Sequence, residues 1–226
     1  MKNTFDAVIF DLDGTLIDSM WAWDKIDEMY LGQFGVQAHE FSEADIEGMS
    51  FTETAQYMKK RFKIEDDVEK IKADLNKMAL EFYKSQVPLK KGVLEFLDYL
   101  EAQGIKMGIA TSNSRELVDV VLEAHHIRDK FKAICTSCEV EKGKPYPYVY
   151  EKAAKDLDVE PGRCLAFEDV PNGVLAAKRA GMTICAVRDR QNKEVEERLR
   201  QEAHFFVEDY TQIIEYYESK NKESYA

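Results

Sequence analysis

Asp6-Ala7-Val8-Ile9-Phe10-Asp11-Leu12-Asp13-Gly14-Thr15-Leu16 is the stretch whose reading decides the fold. An apolar run, Ala7–Phe10, drives straight into two carboxylates and a glycine turn. Carboxylates at i and i+2 of an extended chain lie on the same side, which puts Asp11 and Asp13 together at a strand's carboxyl end. Like charges held that close repel, which raises one pKa or demands a cation. The pattern points to a metal-assisted active site in which one carboxylate attacks and the other handles a proton.

Further apolar runs rich in β-branched residues follow at 106–110, 133–135, 164–167, 183–187 and, more weakly, 204–207. Segments 92–103, 115–125, 147–157 and 173–180 between them carry i, i+3, i+4 apolar spacing. This alternation predicts an α/β fold, a doubly wound parallel sheet with helices on both faces. In such sheets the ligand sits beyond the carboxyl ends of the strands. Residues 18–87 break the pattern, since they hold helix signatures and no convincing strand. A helix is expected to start near Ser19. Ser50-Phe51-Thr52-Glu53 matches a capping box opening a helix through about Arg61. Val68, Ile71, Leu75, Met78 and Phe82 trace a second helix's apolar stripe. The expected organisation is a Rossmann-like catalytic core, 1–17 and 88–226, with an inserted all-helical cap domain, 18–87, over the site. The polar stretch 219–226 is expected to fray.

The chain has 226 residues, ample apolar content at 45%, and a formal net charge of −12. That charge argues against a nucleic-acid or anionic-membrane binder. No apolar run is long enough to span a bilayer, and Met1–Phe5 leads into the first strand without a signal-peptide pattern. The expectation is a cytoplasmic protein, a monomer by default. Cys135 and Cys138 form a lone C-x-x-C with no second pair to complete a zinc set. The four histidines, at 39, 125, 126 and 204, have no partner pattern and read as structural or surface groups.

Four sequence-distant features fall at predicted strand ends. Asp11 and Asp13 are the first. Thr111-Ser112-Asn113 is the second; hydroxyls, an amide and free backbone N–H groups before a helix suit an anion such as phosphate. Gly143-Lys144-Pro145-Tyr146-Pro147 holds a lysine in a constrained turn, with neighbouring Lys142 reading as solvated. Glu168-Asp169-Val170-Pro171-Asn172-Gly173 is the fourth. Taken in this order, the set resembles the haloacid dehalogenase superfamily of phosphotransferases, in the branch with a helical cap after the first motif. The resemblance spans roughly 5–210.

The resemblance implies the roles. Asp11 would be the nucleophile that forms an aspartyl-phosphate. Asp13 would be the general acid, then the base that activates water. Mg²⁺ would be held by the Asp11 carboxylate, the Asp13 backbone carbonyl and Asp169, with Glu168 joining directly or through water. Lys144 would tie nucleophile and phosphate together, and Thr111, Ser112 and Asn113 would bind phosphoryl oxygens. An acid at position 13 favours phosphoryl transfer over halide displacement, because an alkoxide needs a proton and a halide does not. The expected partner is a small-molecule phosphate ester, with sugar phosphates the leading class.

The cap decides the substrate. Trp23 aligns with Ile26 and Tyr30 and reads as part of a buried stripe, whereas Trp21 shares a face with Lys25 and Glu28. Trp21 is therefore the candidate cleft-facing platform for an organic leaving group. The same motifs resemble the β-phosphoglucomutase branch, which gives a mutase as the alternative to a phosphatase. Where those mutases carry a cap arginine this chain reads Gly48-Met49-Ser50-Phe51, and where they carry a gating histidine it has Trp23. A non-catalytic sugar-phosphate-binding regulator is the third reading, disfavoured by the intact Asp11, Asp13 and Lys144.

Overall fold

Ala7–Phe10 forms β1, every residue of it buried. Its side chains alternate between two cores: Val8 and Phe10 enter one apolar cluster, Ala7 and Ile9 the other. A strand buried on both faces has no room for polar residues, which is why it reads as an unbroken apolar run. The computed structural model describes residues 5–41, 43–190 and 192–214.

After β1 come helices α1 (Met20–Gly32), α2 (Glu43–Ile46), α3 (Phe51–Phe62), α4 (Val68–Ser85) and α5 (Val93–Ala102). The chain then alternates through β2 (Lys106–Thr111), α6 (Arg115–Ala124), β3 (Ala133–Thr136), α7 (Tyr148–Asp156), β4 (Cys164–Glu168), α8 (Pro171–Arg179), β5 (Thr183–Val187), α9 (Lys193–Glu202) and β6 (Phe205–Val207). The sheet is parallel throughout, in the order β3-β2-β1-β4-β5-β6. Strand order reverses at β1, so the crevice beyond the ends of β1, β2 and β4 is the topological switch point. Phe10 anchors the centre, stacked on Phe167 at 5.2 Å between ring centroids and edge-on to Phe96 at 6.2 Å. Burying each such ring contributes about 1.5–3 kcal/mol.

β2 and β4 each run one residue beyond the sequence expectation, to Thr111 and Glu168, which makes those two polar residues part of the sheet. Both are buried and face bonding partners rather than solvent. α8 starts at Pro171 rather than Gly173, because proline is tolerated in a first helical turn.

In the helical insert, the Ser50–Glu53 capping box is formed reciprocally, with Glu53 N–H donating to Ser50 Oγ and Ser50 N–H donating to Glu53 Oε2. The stripe of α4 departs from the sequence reading. Its buried residues are Ile71, Leu75, Ala79 and Tyr83, while Val68, Met78 and Phe82 are only partly buried. The buried line advances in four-residue steps from Ile71 to Tyr83. Ser19 sits at the N-terminus of α1 but its hydroxyl does not cap the helix; it donates to Asp13 instead. Two crossings join insert and sheet, and they run antiparallel at Ile17 and Leu89. Asp18 N–H donates to Pro88 O, and Lys90 N–H donates to Leu16 O. One apolar cluster runs without a break from Phe10 through Leu16 to Phe51, Leu75 and Tyr83.

The stretch 219–226 lies outside the described residues. No helix among the described residues is long and apolar enough to cross a membrane.

Candidate active site

Asp11 extends β1 by one hydrogen bond, its N–H donating to Phe167 O at 2.9 Å. That bond holds the carboxylate beside the end of β4. Lys144 Nζ reaches it from the β3–α7 loop, donating to Asp11 Oδ1 at 2.6 Å and to Glu168 Oε1 at 2.5 Å. All three side chains are at least nine-tenths buried. Glu168 also accepts from Tyr150 OH at 2.5 Å through Oε1 and from Asp169 N–H through Oε2. Asp169 Oδ1 accepts from Thr15 Oγ1 at 2.7 Å.

Two glycines make these approaches possible. A Cβ on Gly14 would lie 2.2 Å from Asp169 Oδ2, and Gly14 has φ +75°, a region where glycine pays no steric penalty. A Cβ on Gly173 would lie within 2.0–2.2 Å of the Glu168 carboxyl group.

Asp11, Glu168 and Asp169 bring ligand oxygens within 4.8 Å of one another, all buried. Lys144 is set directly against this charge through its pairs with Asp11 and Glu168. Burial pushes Asp11 up to about 8, with Lys144 opposing the rise and Glu168 and Asp13 adding to it. Burial, then Asp11, Glu168 and Asp189, hold Asp169 well above the usual carboxylate range. For Lys144, burial disfavours the charge but Asp11 and Glu168 outweigh it, so its pKa is raised and the ammonium persists. Three hard oxygen donors with excess buried negative charge fit a divalent cation such as Mg²⁺. The Asp13 carboxylate does not belong to this cluster.

Asp13 faces the insert. Its Oδ1 accepts from Ser19 Oγ at 2.6 Å, from Tyr83 OH and, at 3.4 Å, from Trp23 Nε1. Its Oδ2 accepts from Asn113 Nδ2 at 2.8 Å. Asn113 and Thr111 close the other side, with Asn113 N–H donating to Thr111 Oγ1 at 3.1 Å. Ser114, not the triplet itself, caps α6 by accepting Leu117 N–H. Ser112 Oγ meets Gly48 O at 3.3 Å, and Ser112 O accepts Phe51 N–H, so the triplet also seats the insert's loop. Glu47 fastens the same loop to α8, accepting Asn172 N–H at 2.8 Å.

A cavity of about 740 Å³ joins these groups. Asp11, Asp13, Thr111, Ser112, Asn113, Lys144 and Asp169 all line it. Glu168 lies behind this wall. Trp21 is also absent from the lining: its indole N–H donates to Asp18 O at 2.9 Å and its ring packs edge-on against Phe82 at 5.7 Å. The tryptophan that reaches the cavity is Trp23, which the helical pattern assigns to a buried stripe.

Sequence reasoning missed Tyr83, Tyr150, Thr15 and Ser19. The two tyrosines sit in helix stripes where an aromatic reads as packing, and only the fold shows what their hydroxyls meet. Cys135 is buried and its thiol is pushed up to about 12 by burial, the opposite of a reactive or metal-binding thiol. His125 meets Val87 O and His204 accepts Ile184 N–H, both structural contacts.

The family model of haloacid dehalogenase-like hydrolases matches residues 8–187. Hexitol phosphatase B of Escherichia coli K12 is 30% identical over 179 residues, covering 78% of this chain and 80% of that protein. A phosphorylated carbohydrates phosphatase of Thermotoga maritima is 28% identical over 181 residues, 78% of this chain and 82% of the other. The crystal structure of β-phosphoglucomutase from Clostridium difficile superimposes with a TM-score of 0.78 at 23% identity, over 97% and 98% of the two chains. That structure speaks for the fold. The family match spans β1 through β5, and with it all four motifs of the site: the chain belongs to the haloacid dehalogenase-like hydrolases.

Proposed function

We propose that the chain is a Mg²⁺-dependent phosphatase of small phosphomonoesters, sugar phosphates foremost, working through an aspartyl-phosphate on Asp11. The observation that carries this reading is a carboxylate, Asp11, held by Lys144 among buried acids, with a second carboxylate, Asp13, hydrogen-bonded separately beside the same cavity. Two acids in different environments can divide nucleophilic and proton-transfer work. The names of the relatives, a hexitol phosphatase and a phosphatase of phosphorylated carbohydrates, support the substrate class.

Asp11 attacks phosphorus as the ester oxygen departs, and Asp13 gives that oxygen its proton. Water then attacks the acyl phosphate while Asp13 takes a proton back, releasing phosphate and restoring Asp11. Lys144 holds the nucleophile in place and sets positive charge beside the incoming phosphate. Thr111 would donate to phosphoryl oxygens that gain charge; Asn113, whose N–H groups meet Thr111, Asp13 and Tyr83, would join it only by releasing one of those partners. Mg²⁺, held by Asp11, the Asp13 carbonyl and Asp169 with Glu168 behind them, would offset the repulsion between carboxylate and phosphate. Residues 18–87 act as the cap that encloses the leaving group.

The cavity lining favours a phosphatase over a mutase. Among the described lining residues the only cations are Lys144, engaged by Asp11 and Glu168, and Arg190, ion-paired to Asp24 at 2.7 Å. A mutase must grip a second phosphate in the cap. Release of phosphate from p-nitrophenyl phosphate and a panel of sugar and hexitol phosphates, with and without Mg²⁺, tests the proposal. Turnover abolished in Asp11→Asn is the expected result. A wild type inert on the whole panel would favour the binding-regulator reading, and label moving between positions of a hexose phosphate would favour the mutase.

A further inference from the structure

Three successive backbone carbonyls of the turn after Asp13 are bonded from outside the four motifs. Gly14 O accepts from Lys90 Nζ at 2.7 Å, Thr15 O from Tyr210 OH at 3.2 Å and Leu16 O from Lys90 N–H at 2.9 Å. Within the turn, the N–H groups of Thr15, Leu16 and Ile17 all converge on Leu12 O, which leaves these three carbonyls to find partners elsewhere. Lys90 is held firmly. Its ammonium also donates to Arg188 O at 2.7 Å and to Asp189 Oδ1 at 2.6 Å, so all three of its N–H bonds are in use. Tyr210 is fully buried, with its ring centroid 5.3 Å from that of Phe167 and 5.5 Å from that of Phe96. Burial above all holds its phenol well above the ordinary tyrosine pKa, so the hydroxyl remains a donor. The two residues are also tied to each other, since Tyr210 N–H donates to the carbonyl of Lys91 at 3.1 Å.

We propose that Lys90 and Tyr210 are positioning residues for Asp169, a ligand of the proposed metal, and that they act through the Gly14–Leu16 turn they clamp. The inference rests on the Mg²⁺-dependent reading above. Asp169 meets this turn twice. Thr15 Oγ1 donates to its Oδ1 at 2.7 Å, and Gly14 passes so close that a Cβ there would stand 2.2 Å from its Oδ2. A turn that moved outward would draw the Thr15 hydroxyl off Asp169 and open the space that Gly14 closes. A hydroxyl bonded to a core carbonyl ordinarily adds stability alone; here the carbonyl belongs to the support of a carboxylate in the site. Mg²⁺ demands near-ideal octahedral geometry, so a small shift in a ligand carboxylate is costly. Groups that orient such ligands are typically worth about 10–100-fold in metal affinity. Lys90 lies at the second crossing and Tyr210 beyond β6, so the first loop is set by segments remote from it in the chain.

Calorimetric titration of the substrate-free protein with Mg²⁺ tests this without turnover. Removing a cation beside clustered acids would, by charge alone, tighten Mg²⁺ binding. The clamp predicts the reverse: Lys90→Met is expected to bind Mg²⁺ about tenfold more weakly, the lower end of what ligand-orienting groups contribute. Tyr210→Phe keeps the ring and the net charge and loses only the hydroxyl, and is expected to weaken binding by a smaller factor. Leu157→Ala is the control. Leu157 is buried beside Lys106, at the amino end of β2, so truncating it lowers stability far from the turn and is expected to leave Mg²⁺ affinity at the wild-type value. Unchanged or tighter binding in either clamp variant, or an equal loss in Leu157→Ala, overturns the proposal. If Lys90→Met fails to fold, Tyr210→Phe decides alone. A wild type that takes up no Mg²⁺ would instead sink the Mg²⁺-dependent reading.

Discussion

Lys144 offers the sharpest physical test of the site. Its ammonium is 2% exposed and bonded to Asp11 and Glu168, which are 9% and 0% exposed. Lys144→Met keeps the length and apolar stem of the side chain, so packing changes little and the charge is what disappears. Breaking a buried pair by removing one partner costs about 3–5 kcal/mol, because the other charge is stranded. With a urea m-value of about 3 kcal/mol per molar, that loss moves the unfolding midpoint down by roughly 1–1.7 M. The cost depends on pH in a defined direction. Asp11 titrates near 8, chiefly through burial, so below that value it carries a proton and needs its partner less. The destabilisation should therefore be largest at about pH 8.5 and clearly smaller at about pH 5.5. Urea melts of both proteins in metal-free buffer, followed by circular dichroism at the two pH values, measure this. A Lys144→Met midpoint equal to wild type at about pH 8.5, or a greater loss at the lower pH, would refute the reasoning.

Three further outcomes are expected. In chelator, the raised pKa of Asp11 means that the folded state holds a proton the unfolded state releases. The stability this supplies is complete below the ordinary value of 3.8 and lost as pH rises through about 8, and Asp169 acts with the same sign. Saturating Mg²⁺ removes that penalty, so the gap in melting temperature between Mg²⁺ and chelator should widen from about pH 5 to about pH 8.5; a constant gap would count against metal binding by these acids. Gly14→Ala must move Asp169, since the new Cβ would stand 2.2 Å from its Oδ2. Calorimetric Mg²⁺ titration should show about 10–100-fold weaker binding, with unchanged affinity the contrary result. Trp21→Ala should lower stability by roughly 1–3 kcal/mol through lost packing on Phe82 while leaving the ranking of phosphate esters as it was; altered ranking would restore Trp21 as a substrate platform.

What could be read from the sequence were features set by local rules. A β-strand with both faces covered is continuous apolar sequence, so β1 was visible in Ala7–Phe10, and its sudden end at Asp11 marked the site. The capping box at Ser50 was legible because both partners lie within one turn. Thr111 and Asp169 stood at the ends of β2 and β4 as expected, whereas Lys144 lies well beyond the end of β3, in the loop before α7; the switch point of the sheet is where these segments converge. The helical insert was equally plain, being a long stretch with 3.6-residue periodicity and no strand.

Which tryptophan faces the cavity, and which tyrosine touches Asp13, could not be read this way. Helical periodicity assigns a residue to a face but does not say what that face meets. Trp21 and Trp23 differ by about 200° around α1, and only the seating of α1 against α4 decides which of them looks inward. Tyr83 is four residues from Ala79 on the buried line, and nothing local distinguishes its hydroxyl from that of any packed tyrosine. Tyr150 and Thr15, likewise, become partners of Glu168 and Asp169 only when α7 and the first loop close on β4. Apolar runs and helical spacing were enough to predict the parallel sheet and the run of helices between β1 and β2, because both follow from burial and short-range periodicity. Tertiary structure alone decided how Asp13 is held, since its donors at Ser19, Trp23, Tyr83 and Asn113 are separated along the chain and meet only when the insert packs over β1 and β2.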